Sequence, residues 1–360
     1  MIKHEFTNIA ITGLACCVPE NVETLDKYYD IFGKEAVQKF SQTTGIIERH
    51  VAVKEQTSSD LAFVSADRLL NTKRISRDSI GALVFVTQTP DYRLPATSYV
   101  LQDRLGLSQD CMCFDVNLGC SAYVYGLGLV SSIMSNSNID TALLLTGDTI
   151  TKYVAPEDKS VCMLLADGAS ASLLQKTSSF KMQMSYRSHG SKFKSVIVPS
   201  GACRNMENNT KRTLWEDGNV RSNYDLYMGG TDVFSYAMTD VPKFIKEFMH
   251  DIDKQPEQYD ALIMHQANLY LMKQVAKRSG FSMEKLPISI DRFGNTSGSC
   301  IPVTIVDAFS RQQCVVNNQI ELLLAGFGVG MSQGIVDLKI DSASILPMIY
   351  SNEYYSDGMI

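Results

Sequence analysis

An α/β fold built from a duplicated unit is what the sequence predicts. Short apolar runs alternate with longer amphipathic ones, two pairs of apolar triplets recur at one spacing, and small-residue turns lead from apolar runs into helix-like segments.

The apolar runs at 82–86, 113–116, 141–146, 261–264, 288–290 and 320–325 are too short for helices and read as buried strands. Helix-like segments lie between them at 98–105, 121–134 and 269–278. Asn268 is placed to cap the last of these and Gly280 to end it. Strand–helix–strand alternation argues for parallel strands. Ala82-Leu83-Val84 and Ala261-Leu262-Ile263 lie 179 residues apart, and so do Leu143-Leu144-Leu145 and Leu322-Leu323-Leu324. Carried to the turns, that offset sets Cys120 against Ser299, and a duplicated fold would bring the two turns together at a pseudo-twofold centre. Residues 201–228 break the pattern: polar, rich in Asn and Arg, and holding the single tryptophan, Trp215, they read as a long excursion or lid. The tail after Ile340 reads as a loosely attached extension.

Composition narrows the class. The chain has 360 residues, 45% hydrophobic and 20% charged, which excludes a disordered chain, a collagen and a coiled coil. A net charge of −6 gives no long-range attraction to nucleic acid. No run approaches the 18 or so apolar residues that span a bilayer, so no membrane role is expected. The start, Met1 to Phe6, is polar and unlike a cleavable signal. Nine cysteines (Cys16, Cys17, Cys111, Cys113, Cys120, Cys162, Cys203, Cys300 and Cys314) are an odd set spread through the chain, as expected of reduced thiols in a cytoplasm.

Three residues at turns could do chemistry. Cys120, in Asn117-Leu118-Gly119-Cys120-Ser121-Ala122, falls where a strand turns into a helix. Unpaired amides and the positive end of the helix dipole there favour a thiolate and can hold an oxyanion. His265 ends an apolar strand, where α/β folds place ligands. Asn295 lies in Gly294-Asn295-Thr296-Ser297-Gly298-Ser299, a turn that on its own needs no function. Gly326-Phe327-Gly328-Val329-Gly330 reads as a glycine loop after a strand, suited to close approach of a ligand but lacking the dinucleotide fingerprint. No metal site is expected, since Cys111 and Cys113 have no second ligand pair. Asp167-Gly168 is most simply a turn.

Taken together, these motifs resemble the beta-ketoacyl-acyl-carrier-protein synthase III family of the thiolase-like condensing enzymes. Thr44-Gly45-Ile46, the Cys120 elbow, Ala166-Asp167-Gly168-Ala169, His265-Gln266-Ala267-Asn268, Gly294-Asn295-Thr296-Ser297 and Gly326-Phe327-Gly328 match in order along nearly the whole chain. The resemblance implies a duplicated five-layer α/β/α/β/α fold with halves 1–178 and 179–340 and an extension at 341–360. It implies acyl transfer to Cys120 and decarboxylative condensation with malonyl carrier protein, in fatty-acid or specialised acyl-chain synthesis. His265 and Asn295 would donate to the thioester carbonyl, and the amides of Cys120 and Val329 would form the oxyanion hole. Phe327 would shape the site wall, and Lys273, Lys277 and Arg278 would dock an acyl carrier protein. Leu94, before Pro95, would enter the partner's acyl pocket in a homodimer. No metal or organic cofactor is implied.

The chain departs from the family in two places. The Trp and Arg that clasp the nucleotide of acyl-CoA are absent from Lys39-Phe40-Ser41-Gln42-Thr43-Thr44, which weighs against a CoA primer and leaves CoA, a carrier protein or another thioester open as the acyl donor. An Arg that helps dock the carrier protein is here Tyr270. These departures keep two rivals open: an acyltransferase to an oxygen or nitrogen acceptor without loss of CO₂, and a non-catalytic partner subunit.

Overall fold

The computed structural model describes residues 2–178, 180–206, 209–310 and 319–358. Cys314 and the expected boundary at residue 179 lie outside the described residues. In chain order the main strands are β1 (His4–Phe6), β2 (Ile9–Val18), β3 (Ala82–Val86), β4 (Met112–Val116), β5 (Thr141–Asp148), β6 (Gly168–Lys176), β7 (Met182–Ser188), β8 (Ala261–Met264), β9 (Gln319–Gly328), β10 (Ser332–Asp341) and β11 (Ile349–Tyr350). The helices that frame the site are α1 (Ser58–Lys73), α2 (Thr97–Leu105), α3 (Ala122–Ser135), α4 (Gly230–Asp251), α5 (Leu269–Ser279) and α6 (Cys300–Phe309).

The strands form two sheets, ordered β11-β2-β6-β5-β3-β4 and β1-β7-β10-β9-β8. Both are mixed, which corrects the expectation of parallel strands. The β4–β3–β5, β2–β11 and β8–β9 pairs are parallel, and the remaining neighbours are antiparallel.

Alternation along the strands builds the layers. Val84 and Val86 on β3 face a central core, and Leu83 and Phe85 face an outer one. On β9, Leu322 and Leu324 face the same central core, and Leu323 and Ala325 face outward. Between the sheets lie α3, through Val124, Leu127 and Val130, and α6, through Ile301 and Ile305. One outer layer is α1 and α2, through Leu61, Leu69 and Leu101; the other is α4 and α5, through Phe244, Phe248 and Val275. The result is helix, sheet, helix, sheet, helix. Each of these buried Leu, Val or Phe side chains contributes about 1.5–3 kcal/mol of burial free energy.

The repeat is real in outline but slips in register. Ala82 pairs with Ala142, whereas Ala261 pairs with Leu322. Strand β3 therefore maps to β8 by 179 residues, and β5 maps to β9 by 180. A one-residue slip turns a strand over. Leu143 accordingly faces the outer core while Leu322 faces the central one, so the matching triplets are not equivalent positions. At the turns the offset is 178, because α3 and α6 begin after Ser121 and Ser299. Cys120 thus corresponds to Gly298 and not to Ser299. Residues 288–290 form no strand; a short helix at Ile290–Phe293 takes their end.

Two other expectations change. The excursion at 201–228 carries two small ladders, Val196–Ile197 with Tyr227–Met228 and Thr213–Leu214 with Val220–Arg221. Arg221 is wholly buried, 2.7 Å from the equally buried Asp158 and 2.9 Å from Asp217. Its guanidinium lies 5.0 Å from the Trp215 ring and 5.2 Å from the Tyr227 ring. The segment therefore has a core of its own, where a charge is tolerated because it is paired and stacked. The tail is also fastened. Ile349 and Tyr350 extend the first sheet beside Cys17 and Val18, and Gln56 Nε2 donates to the carbonyls of Ser351 (2.9 Å) and Glu353 (3.0 Å).

Candidate active site

Cys120 sits in the turn between β4 and α3. The turn is closed by the Ala122 amide donating to the Gly119 carbonyl at 2.7 Å. The end of β9 runs directly against it. A Cβ on Gly328 would lie 2.4 Å from Cys120 Cβ and 2.6 Å from its sulfur, so only glycine allows this approach. The glycine run expected as a loop is therefore strand through Gly328, with Val329 at the start of the turn.

The backbone amides of Val329 and of Cys120 itself act on the Cys120 sulfur in the direction that favours its charged form. Even so, the thiol is pushed up to about 11, first by burial and then by the negative charge of Asp148. The expectation of a thiolate at this helix start is thus corrected: desolvation exceeds what the two amides return.

His265 follows β8, held by its amide donating to the Ala325 carbonyl at 3.0 Å. The residue is 3% exposed, and its ring meets the Phe327 ring edge-on at 5.8 Å and 85°. Nδ1 has no hydrogen-bond partner among the described residues. Asn268 caps α5 by accepting from the Leu271 amide at 3.2 Å, and Gly280 ends it in the left-handed region at φ 91°.

Asn295 is fixed at both backbone atoms, its amide donating to Leu164 (3.0 Å) and its carbonyl accepting from Ala166 (2.9 Å). Its Oδ1 accepts from the Ser297 amide at 3.0 Å and the Cys300 thiol at 3.3 Å. With its oxygen occupied, the side-chain NH₂ is the group left for the cavity.

Cys120, His265, Asn295, Phe327 and Val329 line one cavity of about 270 Å³, with Met228 from the end of the excursion on its wall. Leu94 does not line it and is 83% exposed. Lys273 and Lys277 are exposed on α5 outside the cavity. Arg278 has other work. Pro242 inside α4 has no N–H for the Met238 carbonyl four residues earlier, and Arg278 Nη1 donates to that oxygen at 2.8 Å. Tyr270 stacks on Phe234 at the rim, centroids 6.4 Å apart and planes 11° apart.

Sequence reasoning missed several participants. Lys243 and Lys246 of α4 join Lys277 and Arg278 along a groove between α4 and α5. Asp148, ending β5, is wholly buried beside the Cys120 turn, and Ser297 lines the cavity. An Asp closing an apolar strand was the available signal for Asp148. Asp167 is more than a turn residue: buried, it accepts from the amides of Ala52 (2.8 Å) and Thr151 (3.0 Å), and burial pushes its carboxyl up to about 6.

A family model for 3-oxoacyl-[acyl-carrier-protein] synthase III matches residues 114–190, and the model for the C-terminal part of the same enzymes matches residues 249–340. The chain is 32% identical to a beta-ketoacyl-[acyl-carrier-protein] synthase III of Xanthomonas axonopodis pv. citri over 348 residues, covering 94% of this chain and all of that one. It is 29% identical to one of Fusobacterium nucleatum, covering 92% and 98%. Among solved structures, a 3-oxoacyl-(acyl-carrier protein) synthase of Burkholderia xenovorans superposes with a TM-score of 0.90 at 30% identity, covering 97% and 99%.

Proposed function

The chain belongs to the 3-oxoacyl-[acyl-carrier-protein] synthase III family of acyl-transferring condensing enzymes, and on that premise we propose that Cys120, His265 and Asn295 carry its reaction. The Cys120 sulfur attacks an acyl thioester, the carrier thiol leaves, and the amides of Cys120 and Val329 hold the oxyanion. Malonyl carrier protein then binds with its thioester carbonyl facing His265 and Asn295. Loss of CO₂ leaves an enolate whose charge those two donors stabilise. The enolate carbon attacks the acyl carbonyl, the C–S bond to Cys120 breaks, and a 3-oxoacyl carrier protein leaves.

One observation supports this reading most: the Cys120 sulfur, Val329 and two polar side chains with unspent hydrogen-bonding capacity share one cavity. Because burial keeps Cys120 protonated, its proton must leave as the sulfur attacks, and it ends on the departing carrier thiol. Phe327 sets the His265 ring angle. Lys273 and Lys277, joined by Lys243 and Lys246, offer the acidic carrier protein a basic approach; Arg278 serves it less, being held by Met238. We place the two halves at 1–178 and 179–340 with the extension at 341–360. The protein would act as a cytoplasmic homodimer in which the exposed Leu94 reaches the partner's pocket. Among the described residues no helix is long and apolar enough to cross a membrane.

The test is incubation with acyl-CoA and acyl-carrier-protein thioesters and malonyl carrier protein, following the mass of Cys120, CO₂ and product. An acyl adduct on Cys120 with one CO₂ per product supports the reading. Normal product from Cys120→Ala overturns it.

A further inference from the structure

Asp148 is a wholly buried carboxyl, pushed up by burial and drawn back by its hydrogen bonds, for which no described Lys, Arg or His supplies a counter-charge. Burying an unpaired carboxylate is costly, and such a group persists only when dipoles satisfy it. Here they come from both sheets' turns. Oδ1 accepts from the Gln88 amide (2.7 Å), Thr87 Oγ1 (3.1 Å) and Thr89 Oγ1 (3.4 Å), all in the segment after β3. Oδ2 accepts from the Gly298 amide at 3.3 Å, and the Ser297 hydroxyl bonds the carboxylate too.

The second set is strained. Ser297 has φ 51°, a left-handed conformation unfavourable for a serine. Such strain persists only where surroundings impose it, and both Ser297 and the next amide are bonded to Asp148. Space is equally tight: a Cβ on Gly298 would lie 2.9 Å from Ala122 Cβ and 3.4 Å from Asp148 Oδ2. The turn held in this way also contains Asn295, whose Oδ1 accepts from the Ser297 amide.

We propose that Asp148 is the positioning residue of this site, clamping the strained Ser297–Gly298 turn of one half to the Thr87–Thr89 segment of the other, beside the Cys120 turn, and so fixing where Asn295 presents its NH₂. This rests on the reading of Cys120 and Asn295 given above. Asp148 touches neither reacting group directly, and its charge also acts on two titratable neighbours, Cys120 and Tyr153.

The experiment uses Asp148→Asn beside the wild type and separates the half-reactions. Asparagine keeps the shape but turns an amide towards donors and removes the charge. Malonyl decarboxylation is expected to fall about 100-fold in kcat, as for a misplacement of about 1 Å, with KM for malonyl carrier protein nearly unchanged. Acyl transfer to Cys120 should stay within about fivefold. The pH midpoint for alkylation of Cys120 should move down, because a negative charge beside the sulfur is gone. Adding Ser297→Gly, which accepts the left-handed turn freely, should recover about fivefold of the lost decarboxylation. If Asp148→Asn does not fold, Thr87→Val deletes one donor to the same carboxylate and should give the same split with a smaller loss. Equal loss of both half-reactions, or wild-type decarboxylation with an unmoved midpoint, overturns the proposal. A wild-type protein that acquires no acyl group on Cys120 instead overturns the reading beneath it.

Discussion

The two turns that open α3 and α6 end on serines of the same backbone geometry and have opposite chemistry. Ser121 has φ −97° and ψ 2°, and Ser299 has φ −97° and ψ 1°. In the first turn the residue before that serine is Cys120, half-buried at a cavity; in the second it is Gly298, where no side chain fits. The second turn has its own cysteine two places later. Cys300 is 1% exposed and spends its thiol on Asn295 Oδ1. A helix start therefore supplies amides in both halves, but the residue's exact step around the turn decides whether a thiol attacks a substrate or orients an amide. One half reads as the acyl-transfer station and the other as the decarboxylation station.

The largest effect expected from that comparison is at Cys120. Cys120→Ala should lower product formation by about 10⁴-fold or more, measured by mass spectrometry of 3-oxoacyl products. Gly298→Cys in that background should restore nothing, since its Cβ would meet Ala122 at 2.9 Å; recovered activity would break the distinction between the turns. Next, Asn295→Ala should cost about 10²–10³-fold in decarboxylation while acylation of Cys120 changes by only a few-fold. Equal losses would mean that the stations are not separate.

The thiols sharpen the contrast through pH. With Cys120 pushed up to about 11, ionisation grows with pH throughout the neutral range. Alkylation of Cys120 should therefore rise about tenfold per pH unit, or about 100-fold from pH 7 to 9, while the buried Cys300 stays unlabelled in the folded protein. Peptide mapping after iodoacetamide checks both, and a plateau below pH 8 would remove the role given to burial.

Smaller effects lie on α5. Arg278→Met should lower stability by about 1–3 kcal/mol in urea unfolding, because the Met238 carbonyl loses its donor beside Pro242. Lys277→Glu, exposed one residue away, should leave stability unchanged and raise KM for the carrier protein a few-fold, less so at high salt. Similar outcomes for the two variants would contradict their different placement.

Much of this was legible beforehand because it is local. Strand length, alternation and turn composition give β3, β5, β8 and β9, and the cap and stop at Asn268 and Gly280 follow from side-chain chemistry near in sequence. The motifs around Cys120, His265 and Asn295 lie at the ends of those elements, where α/β folds place function. The misses depend on partners distant in the chain. Antiparallel pairing of β6 with both β2 and β5 cannot be read from alternation alone. Arg278 looks like a surface cation until Pro242, in another helix, leaves a carbonyl without its donor.

The sequence by itself determined which residue types stand where strands become helices, because periodicity and turn chemistry act within a few residues. It also determined that the fold is duplicated, since an approximate spacing survives in the triplets. Only the tertiary structure decided the register of that duplication, because one residue of slip reverses the face of a strand and no local preference records it. It alone decided that Cys120 rests as a thiol. A helix start favours the thiolate wherever it occurs, but the burial and the Asp148 charge that outweigh it come from elements brought together by folding.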